Sequence, residues 1–173
     1  MLQDSRQIFG YGLIGEKKLK ETLSDLMVGL ILCPEKVWLV SPWVTDFDLL
    51  DNRSGDWDSV NPAWGCRHVA FSELLIAAIE AGCDVRIVTN DDNNNHAFLK
   101  KLYIAIGSEG VAHLISDPLH TKGLLSSTFF LSGSMNFTYS GLNRNDELVT
   151  LTTNSELISS AKIEFEDRYR FHD

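Results

Sequence analysis

Residues 120–136 read HTKGLLSSTFFLSGSMN and contain two short polar clusters, His120 with Lys122 and Ser134 with Asn136. Residues two apart on a β-strand point to the same face, so each cluster presents both of its side chains on one side of its strand. If the segment between them folds as a hairpin with equal arms, His120 lies opposite Asn136, and the other two side chains also face each other. We therefore predict that an imidazole, a fixed cation and two neutral hydrogen-bonding groups converge on one face of a sheet.

This set of groups suits the chemistry of a phosphate diester. A neutral imidazole, here His120, can attack phosphorus and carry the phosphoryl group covalently, while Lys122 neutralises non-bridging oxygens. Asn136 and Ser134 can donate hydrogen bonds to the same oxygens as charge builds in the transition state. Glu147 lies eleven residues after Asn136 on a predicted strand. We expect it to orient the imidazole through the far ring nitrogen.

The charge of the chain limits how it can bind a polyanion. The formal net charge is −9, and the lysines that cluster, at 17, 18, 20, 100 and 101, fall on predicted helix surfaces. Proteins that hold phosphate backbones usually show a basic stripe. Affinity for nucleic acid must therefore come from a local site or from a partner protein, and the same acidity argues against an anionic membrane surface.

The length of 173 residues and the 44% hydrophobic content are those of one globular domain, covering residues 1–173. No apolar run is long enough to span a bilayer, and the first residues lack the pattern of a secretory signal, so we predict a cytoplasmic protein. The three cysteines form no C-x-x-C pair, and Cys66 with His68 has no second pair of ligands. We expect no metal site and no cofactor.

Helical and strand patterns alternate along the chain and predict an α/β fold, with a mixed β-sheet flanked by helices on both faces. Residues 45–66, rich in Asp, Asn, Ser and Gly, are predicted to form an irregular insertion. Trp38 and Trp43 are predicted to pack in the core of a strand. The predicted helices cover residues 16–32, 71–81, about 96–106 and 155–169, and the predicted strands cover residues 36–44, 84–89, 111–115, 120–125, 128–131 and 147–151.

The sequence HTKGLLSS…GSMNFTYSGLNRNDELV resembles the phospholipase D superfamily, whose signature is H-x-K-x4-D followed by G-S-x-N. The resemblance extends to the F-T-x-S-G-L continuation, the later E-L-V strand and the order of helices and strands, and so covers essentially the whole chain. It implies a phospholipase D-like α/β sandwich. It also implies that His120, Lys122, Ser134, Asn136 and Glu147 form a phosphodiesterase site.

The sequence departs from the family pattern at two points. Ser127 stands where the motif has its acid, and the chain carries one H-x-K motif where family members generally use two. A single-motif chain of this length resembles the small bacterial nuclease branch, which pairs two identical chains. We therefore expect a homodimer whose two-fold axis brings both His120 side chains to one shared site.

The sequence therefore predicts a metal-independent phosphodiesterase, an endonuclease that cleaves DNA through a covalent phosphohistidine intermediate. Two alternatives stay open. One is a phospholipase or phosphatidyl transferase. The other is a non-catalytic nucleic-acid-binding or interaction subunit of a prokaryotic DNA-modification or defence system, which Ser127 in place of the acid favours. The remaining histidines, His68, His96, His113 and His172, are predicted to serve structure or to face solvent.

Overall fold

The computed structural model of the chain describes residues 4–171, so that His172 lies outside the described residues. Within that range the strands are β1 (Ser5–Gly10), β2 (Lys36–Val40), β3 (Asp48–Asp51), β4 (His68–Ala70), β5 (Asp84–Thr89), β6 (Ala112–Ile115), β7 (Gly123–Leu125), β8 (Phe130–Gly133) and β9 (Glu147–Thr152). The α-helices are α1 (Gly12–Leu32), α2 (Phe71–Ala81), α3 (Asn93–Ile106), α4 (Tyr139–Asn143) and α5 (Ser155–Arg168).

Seven of these strands form one mixed sheet in the order β1-β9-β8-β7-β2-β5-β6, and β3 and β4 form a separate hairpin. Strands β2, β5 and β6 run parallel, and the remaining neighbours pair antiparallel. The parallel strands are connected through α2 and α3, as a crossover between parallel strands requires. The predicted mixed α/β sheet is confirmed.

Each face of the sheet packs against its own set of helices. On one face, α1, α2 and α3 bury a large apolar core in which Phe71 stacks on Phe47, Phe98 and Phe137, with ring centroids 5.1, 5.9 and 6.0 Å apart. On the other face, α5 packs Phe165 against Trp38 of β2, with ring centroids 6.1 Å apart. The predicted helices on both faces are therefore confirmed. Phe137 belongs to the first core, so the residue after Asn136 is firmly anchored.

The register of the hairpin differs by one residue from the prediction. Equal arms centred on Thr128 would place Gly123 opposite Gly133, whereas the structure pairs Gly123 with Ser132. The reason lies in the turn, because the Ser126 hydroxyl accepts hydrogen bonds from the backbone amides of Thr128 and Phe129 at 3.1 and 3.2 Å. A shift of one residue exchanges the two faces of a strand, so strand alternation cannot bring the two polar clusters together.

Both polar clusters lie outside the strands. His120 and Lys122 precede β7, and Ser134 and Asn136 follow β8. The two loops that carry these residues therefore lie at the ends of two neighbouring strands, and the clusters do not stand on the face of the sheet. Side chains in a loop do not alternate strictly between two faces, so the register shift does not force the two polar clusters onto opposite faces.

The segment 45–66, predicted to be irregular, is partly ordered. It contains β3, which pairs with β4, and a short 3₁₀ turn at Pro62–Trp64. Trp64 is buried in the main core, and Trp57 packs against it from a half-buried position. The prediction for Trp43 is wrong: β2 ends at Val40, and Trp43 lies in the following loop with 42% of its surface exposed. Strand β1 was not anticipated.

The search for bilayer-crossing segments found, among residues 4–171, no helix with the length and apolar character that such a segment requires.

Candidate active site

Four strand ends meet at one edge of the main sheet and carry the predicted site residues. Strand β7 begins just after Lys122, its antiparallel neighbour β8 ends just before Ser134, and β9 begins at Glu147. On the other side of β7, strand β2 ends just before Ser41. The topology therefore brings all five predicted residues to the same edge, although they come from three separate segments of the chain.

His120 and Lys122 form the cationic part of this edge. The His120 side chain is exposed, and its imidazole makes no hydrogen bond to any residue between 4 and 171. The Lys122 ammonium donates a hydrogen bond of 2.8 Å to the backbone carbonyl of His120. The amine is thereby held at the backbone of His120, and it forms no ion pair with a carboxylate of residues 4–171. An open nucleophile next to a fixed cation is the arrangement that an anionic phosphodiester needs.

Ser134 and Glu147 form a second linked pair. The Ser134 hydroxyl donates a hydrogen bond to the Glu147 carboxylate and accepts one of 3.0 Å from the backbone amide of Leu148. Glu147 is only 6% exposed, and its other oxygen accepts a hydrogen bond of 3.3 Å from the Asn145 side chain. The hydrogen bonds described for Glu147 thus go to Ser134 and Asn145, and the predicted contact with His120 is not among them. Because a hydroxyl has one proton, Ser134 is committed to Glu147.

Asn136 occupies the loop between β8 and α4 at a place where the backbone is tightly packed. A Cβ on Gly133 would lie 2.2 Å from the Leu148 carbonyl oxygen, and a Cβ on Gly141 would lie 2.3 Å from the carbonyl oxygen of Asn136 itself. Both glycines are therefore required by close backbone approach. The Asn136 amide oxygen lies 3.4 Å from the Ser41 hydroxyl, while its amide nitrogen donates to no residue within the described range. That nitrogen is the donor that remains for a phosphoryl oxygen.

A carboxylate that the sequence did not reveal is hydrogen-bonded to the turn of the hairpin. Glu35, just before β2, accepts hydrogen bonds from the backbone amide and the hydroxyl of Ser127 and from the hydroxyl of Thr128. Partial burial raises the pKa of Glu35, but these hydrogen bonds outweigh it, and the pKa lies below the ordinary glutamate value. The acid missing at Ser127 is thus matched by an acid from a distant part of the chain, which a local motif cannot show.

The other histidines take no part in this edge within the described residues. His113 accepts or donates a hydrogen bond of 2.9 Å with the Thr89 hydroxyl. Burial, with a smaller contribution from the charge of His96, lowers the pKa of His113 to about 4, so it is neutral at pH 7. His96 contacts Asp91 at 3.1 Å, and His68 is exposed. No group of three or more potential metal ligands occurs among residues 4–171.

A groove in the described part of the chain is lined by none of the five predicted site residues. Its volume is about 930 Å³, and it runs between α1, β3 and the start of α4 at Tyr139. Its lining includes the carboxylates of Glu16, Glu21, Asp25, Asp48 and Asp51 against two lysines. A surplus of negative charge repels a phosphate backbone, so this groove is a poor track for nucleic acid.

The amino-acid sequence was also compared with profiles of known protein families. Residues 56–169 match the family described as "Cardiolipin synthase, PLD-like domain". The chain belongs to the phospholipase D-like family. The match covers α2 to α5 and includes every residue of the candidate site, and it confirms the family that the H-x-K and G-S-x-N motifs predicted. A search of curated proteins found no match.

Several solved structures share the fold over nearly the whole of this chain. NucT from Helicobacter pylori aligns with a TM-score of 0.65 at 13% identity, covering 94% of this chain and 93% of that one. The phospholipase D family member Nuc from Salmonella typhimurium aligns with a TM-score of 0.64 at 18% identity, covering 95% and 94% of the two chains. Polyphosphate kinase from Porphyromonas gingivalis contains the same fold in 27% of its length, with a TM-score of 0.61 at 15% identity. These likenesses show a common fold.

Proposed function

We propose that this phospholipase D-like chain is a metal-independent phosphodiesterase, an endonuclease that cleaves DNA through a covalent phosphohistidine in a homodimeric site. The observation that carries the proposal is the pairing of an exposed, unbonded His120 imidazole with the Lys122 ammonium, held 2.8 Å from the His120 carbonyl. Both stand at the sheet edge that also presents Asn136. We favour DNA over lipid because a chain of this length with one H-x-K motif resembles the small nuclease branch of the family, and Nuc and NucT share its fold over more than nine tenths of both chains.

Two displacements at phosphorus account for the reaction. One ring nitrogen of His120 attacks the phosphorus, the bond to the leaving oxygen breaks, and protonated His120 of the partner subunit gives its proton to that oxygen. Water then attacks the phosphohistidine and yields its proton to the now neutral His120 of the partner subunit, and the phosphorus–nitrogen bond breaks. Lys122 and the Asn136 amide stabilise the charge on the non-bridging oxygens in both steps.

The hydrogen bonds of Ser134 and Glu147 support a different role for these two residues. Ser134 commits its proton to Glu147, so we assign Ser134 and Glu147 together to holding the loop between β8 and α4 in place. Glu147 at 6% exposure would be a costly isolated charge, and the hydrogen bonds from Ser134 and Asn145 offset that cost. Direct contact with the phosphoryl group is left to His120, Lys122 and Asn136.

Glu35 bears on the alternative of a non-catalytic binding subunit. That alternative rested on Ser127 in place of the motif acid, because a motif without its acid is expected to lose the fixed position of the H-x-K segment. Since the Glu35 carboxylate is bonded to both Ser127 and Thr128, the hairpin has a carboxylate at its turn. Ser127 is therefore compatible with a motif whose carboxylate comes from Glu35. For this reason we favour a catalytic role over a purely binding one.

The test is a cleavage assay in excess EDTA with three labelled substrates: single-stranded DNA, double-stranded DNA and phosphatidylcholine vesicles. We expect cleavage of DNA that EDTA does not reduce, and none of the lipid. The control is the His120→Ala protein purified in the same way. Cleavage of lipid without cleavage of DNA would refute the nuclease assignment, and loss of all cleavage in EDTA would refute metal independence.

A site shared between two chains predicts that an inactive chain abolishes the activity of the active chain with which it dimerises. Refolding wild-type chain with a threefold excess of His120→Ala chain should place most wild-type chains in mixed dimers, each with one imidazole. Random pairing leaves about one wild-type chain in four with a wild-type partner, and both steps use two imidazoles, so activity per wild-type chain should fall about fourfold. The control uses His68→Ala as the excess chain. Unchanged activity per wild-type chain, with mixed dimers seen by native mass spectrometry, would rule out the shared site.

A further inference from the structure

A fully buried asparagine, Asn95, connects the loops that carry the two halves of the site. It lies in the first turn of α3, is 0% exposed, and uses all of its side-chain polar groups. Its amide oxygen accepts a hydrogen bond of 2.7 Å from the backbone amide of Val44. Its amide nitrogen donates to the backbone carbonyls of Pro42 at 2.8 Å and Asn90 at 2.9 Å. A buried side chain with every group satisfied fixes its partners strongly.

One arm of this network leads to Asn136. The loop that Asn95 holds at Pro42 and Val44 is itself bonded to Phe137, the residue after Asn136. The Phe137 amide donates to the Ser41 hydroxyl at 3.3 Å, and the Phe137 carbonyl accepts from the Thr45 amide at 3.0 Å. The loop 41–45 therefore clamps the backbone of Phe137 from both sides. Because Asn95 fixes loop 41–45, it also fixes the backbone position of Asn136.

The other arm leads to His120. Asn90, whose carbonyl is bonded by Asn95, uses its own side-chain oxygen to accept a hydrogen bond of 2.9 Å from the backbone amide of Leu119. Leu119 immediately precedes His120 and is 1% exposed, so its side chain is anchored in the core beneath α5. The backbone on which His120 stands is thus held by the Asn90 side chain at one point and by the burial of Leu119 at another.

We propose that Asn95 and Asn90 are positioning residues that set the separation between the His120 and Asn136 segments, an inference that rests on the phosphodiesterase assignment. Neither touches the reacting atoms. A displacement of about 1 Å between nucleophile and stabilising donor can cost on the order of 10²-fold in rate, so the network acts on turnover and not on substrate affinity. No sequence motif joins residues 41–45, 90, 95 and 119, because they meet only through the crossover of two parallel strands.

Asn90 gives the sharpest test because a conservative variant separates positioning from folding. Asn90→Ala removes the acceptor for the Leu119 amide and should lower kcat by about 10- to 100-fold with KM changed less than about threefold. Asn90→Asp retains a side-chain oxygen and should recover most of the lost kcat. Asn94→Ala, on the exposed side of α3, is the matched control and should keep wild-type kcat. An Asn90→Ala protein with wild-type kcat, or an Asn90→Asp protein no better than Asn90→Ala, would overturn the inference.

Hydrogen–deuterium exchange gives a second readout that does not depend on activity. Peptides covering residues 117–122 should exchange about tenfold faster or more in Asn90→Ala, and peptides covering 41–45 should also do so in Asn95→Ala, with neither change in Asn94→Ala. If the wild-type protein cleaves no phosphodiester, the proposed function fails, and this exchange pattern alone decides the positioning inference. Unchanged exchange of residues 117–122 in Asn90→Ala would refute it.

Discussion

The His120→Ala protein is expected to lose at least about 10³-fold in kcat for DNA cleavage while keeping its fold. Removal of a nucleophile that forms the covalent intermediate leaves only the binding and charge stabilisation that the rest of the site supplies. Because the His120 imidazole is exposed and makes no hydrogen bond within residues 4–171, its loss should change the free energy of unfolding by no more than about 0.5 kcal/mol. The measurements are single-turnover cleavage of labelled DNA and a urea titration.

The matched control for this prediction is His68→Ala, because His68 is also exposed but lies on β4, which belongs to the separate two-stranded sheet. It should keep wild-type activity. Quenching the reaction without acid should trap a labelled DNA fragment, joined through its terminal phosphoryl group, on the wild-type chain and none on the His120→Ala chain. A His120→Ala protein that cleaves DNA within tenfold of the wild-type rate would exclude His120 as nucleophile, whatever its stability.

The sequence predicted the family, but the strand pairing by which it placed the polar residues together differs from the structure by one residue. Period-two alternation across a hairpin requires a known turn, and residues 126–129 contain none of the glycine, asparagine or proline that mark common turns. The Ser126 hydroxyl sets the turn instead, and the register shifts by one. The polar residues nevertheless lie at the same edge of the sheet, because they stand in loops at the ends of β7 and β8, where alternation does not apply.

The supporting residues could not be read from the sequence because their partners are distant along the chain. Glu35 and Ser127 are 92 positions apart, and Asn95 and Val44 are 51 apart. Asn95 belongs to the run NDDNNN at 90–95, which predicts a turn and a helix cap, and Asp92 does cap α3 by accepting from the Asn94 amide at 2.8 Å. Local chemistry thus explains the cap, whereas the burial of Asn95 follows from how β2 and β5 pack side by side.

The Glu35→Ala protein is expected to be less stable than wild type by about 2–3 kcal/mol at pH 7. Glu35 accepts three hydrogen bonds from Ser127 and Thr128, and each bond to a charged group contributes about 1.5–3 kcal/mol, reduced here because Ser127 and Thr128 are exposed and water can replace the carboxylate. The measurement is urea denaturation. Glu166→Ala, which breaks a surface ion pair of 3.3 Å with Lys36, is the control and should cost less than about 1 kcal/mol.

The pH dependence and a second substitution test the same carboxylate. Because the pKa of Glu35 is lowered in the folded chain, the stabilisation from its charge is present at pH 7 and is lost as the pH falls through the folded-state pKa, so the difference in stability between wild type and Glu35→Ala should narrow in acid. Ser127→Asp, which restores the acid of the family motif, should lower stability, since it removes a donor and places a second negative charge beside Glu35. If Ser127→Asp instead stabilises the protein, Glu35 does not serve as the carboxylate of the turn.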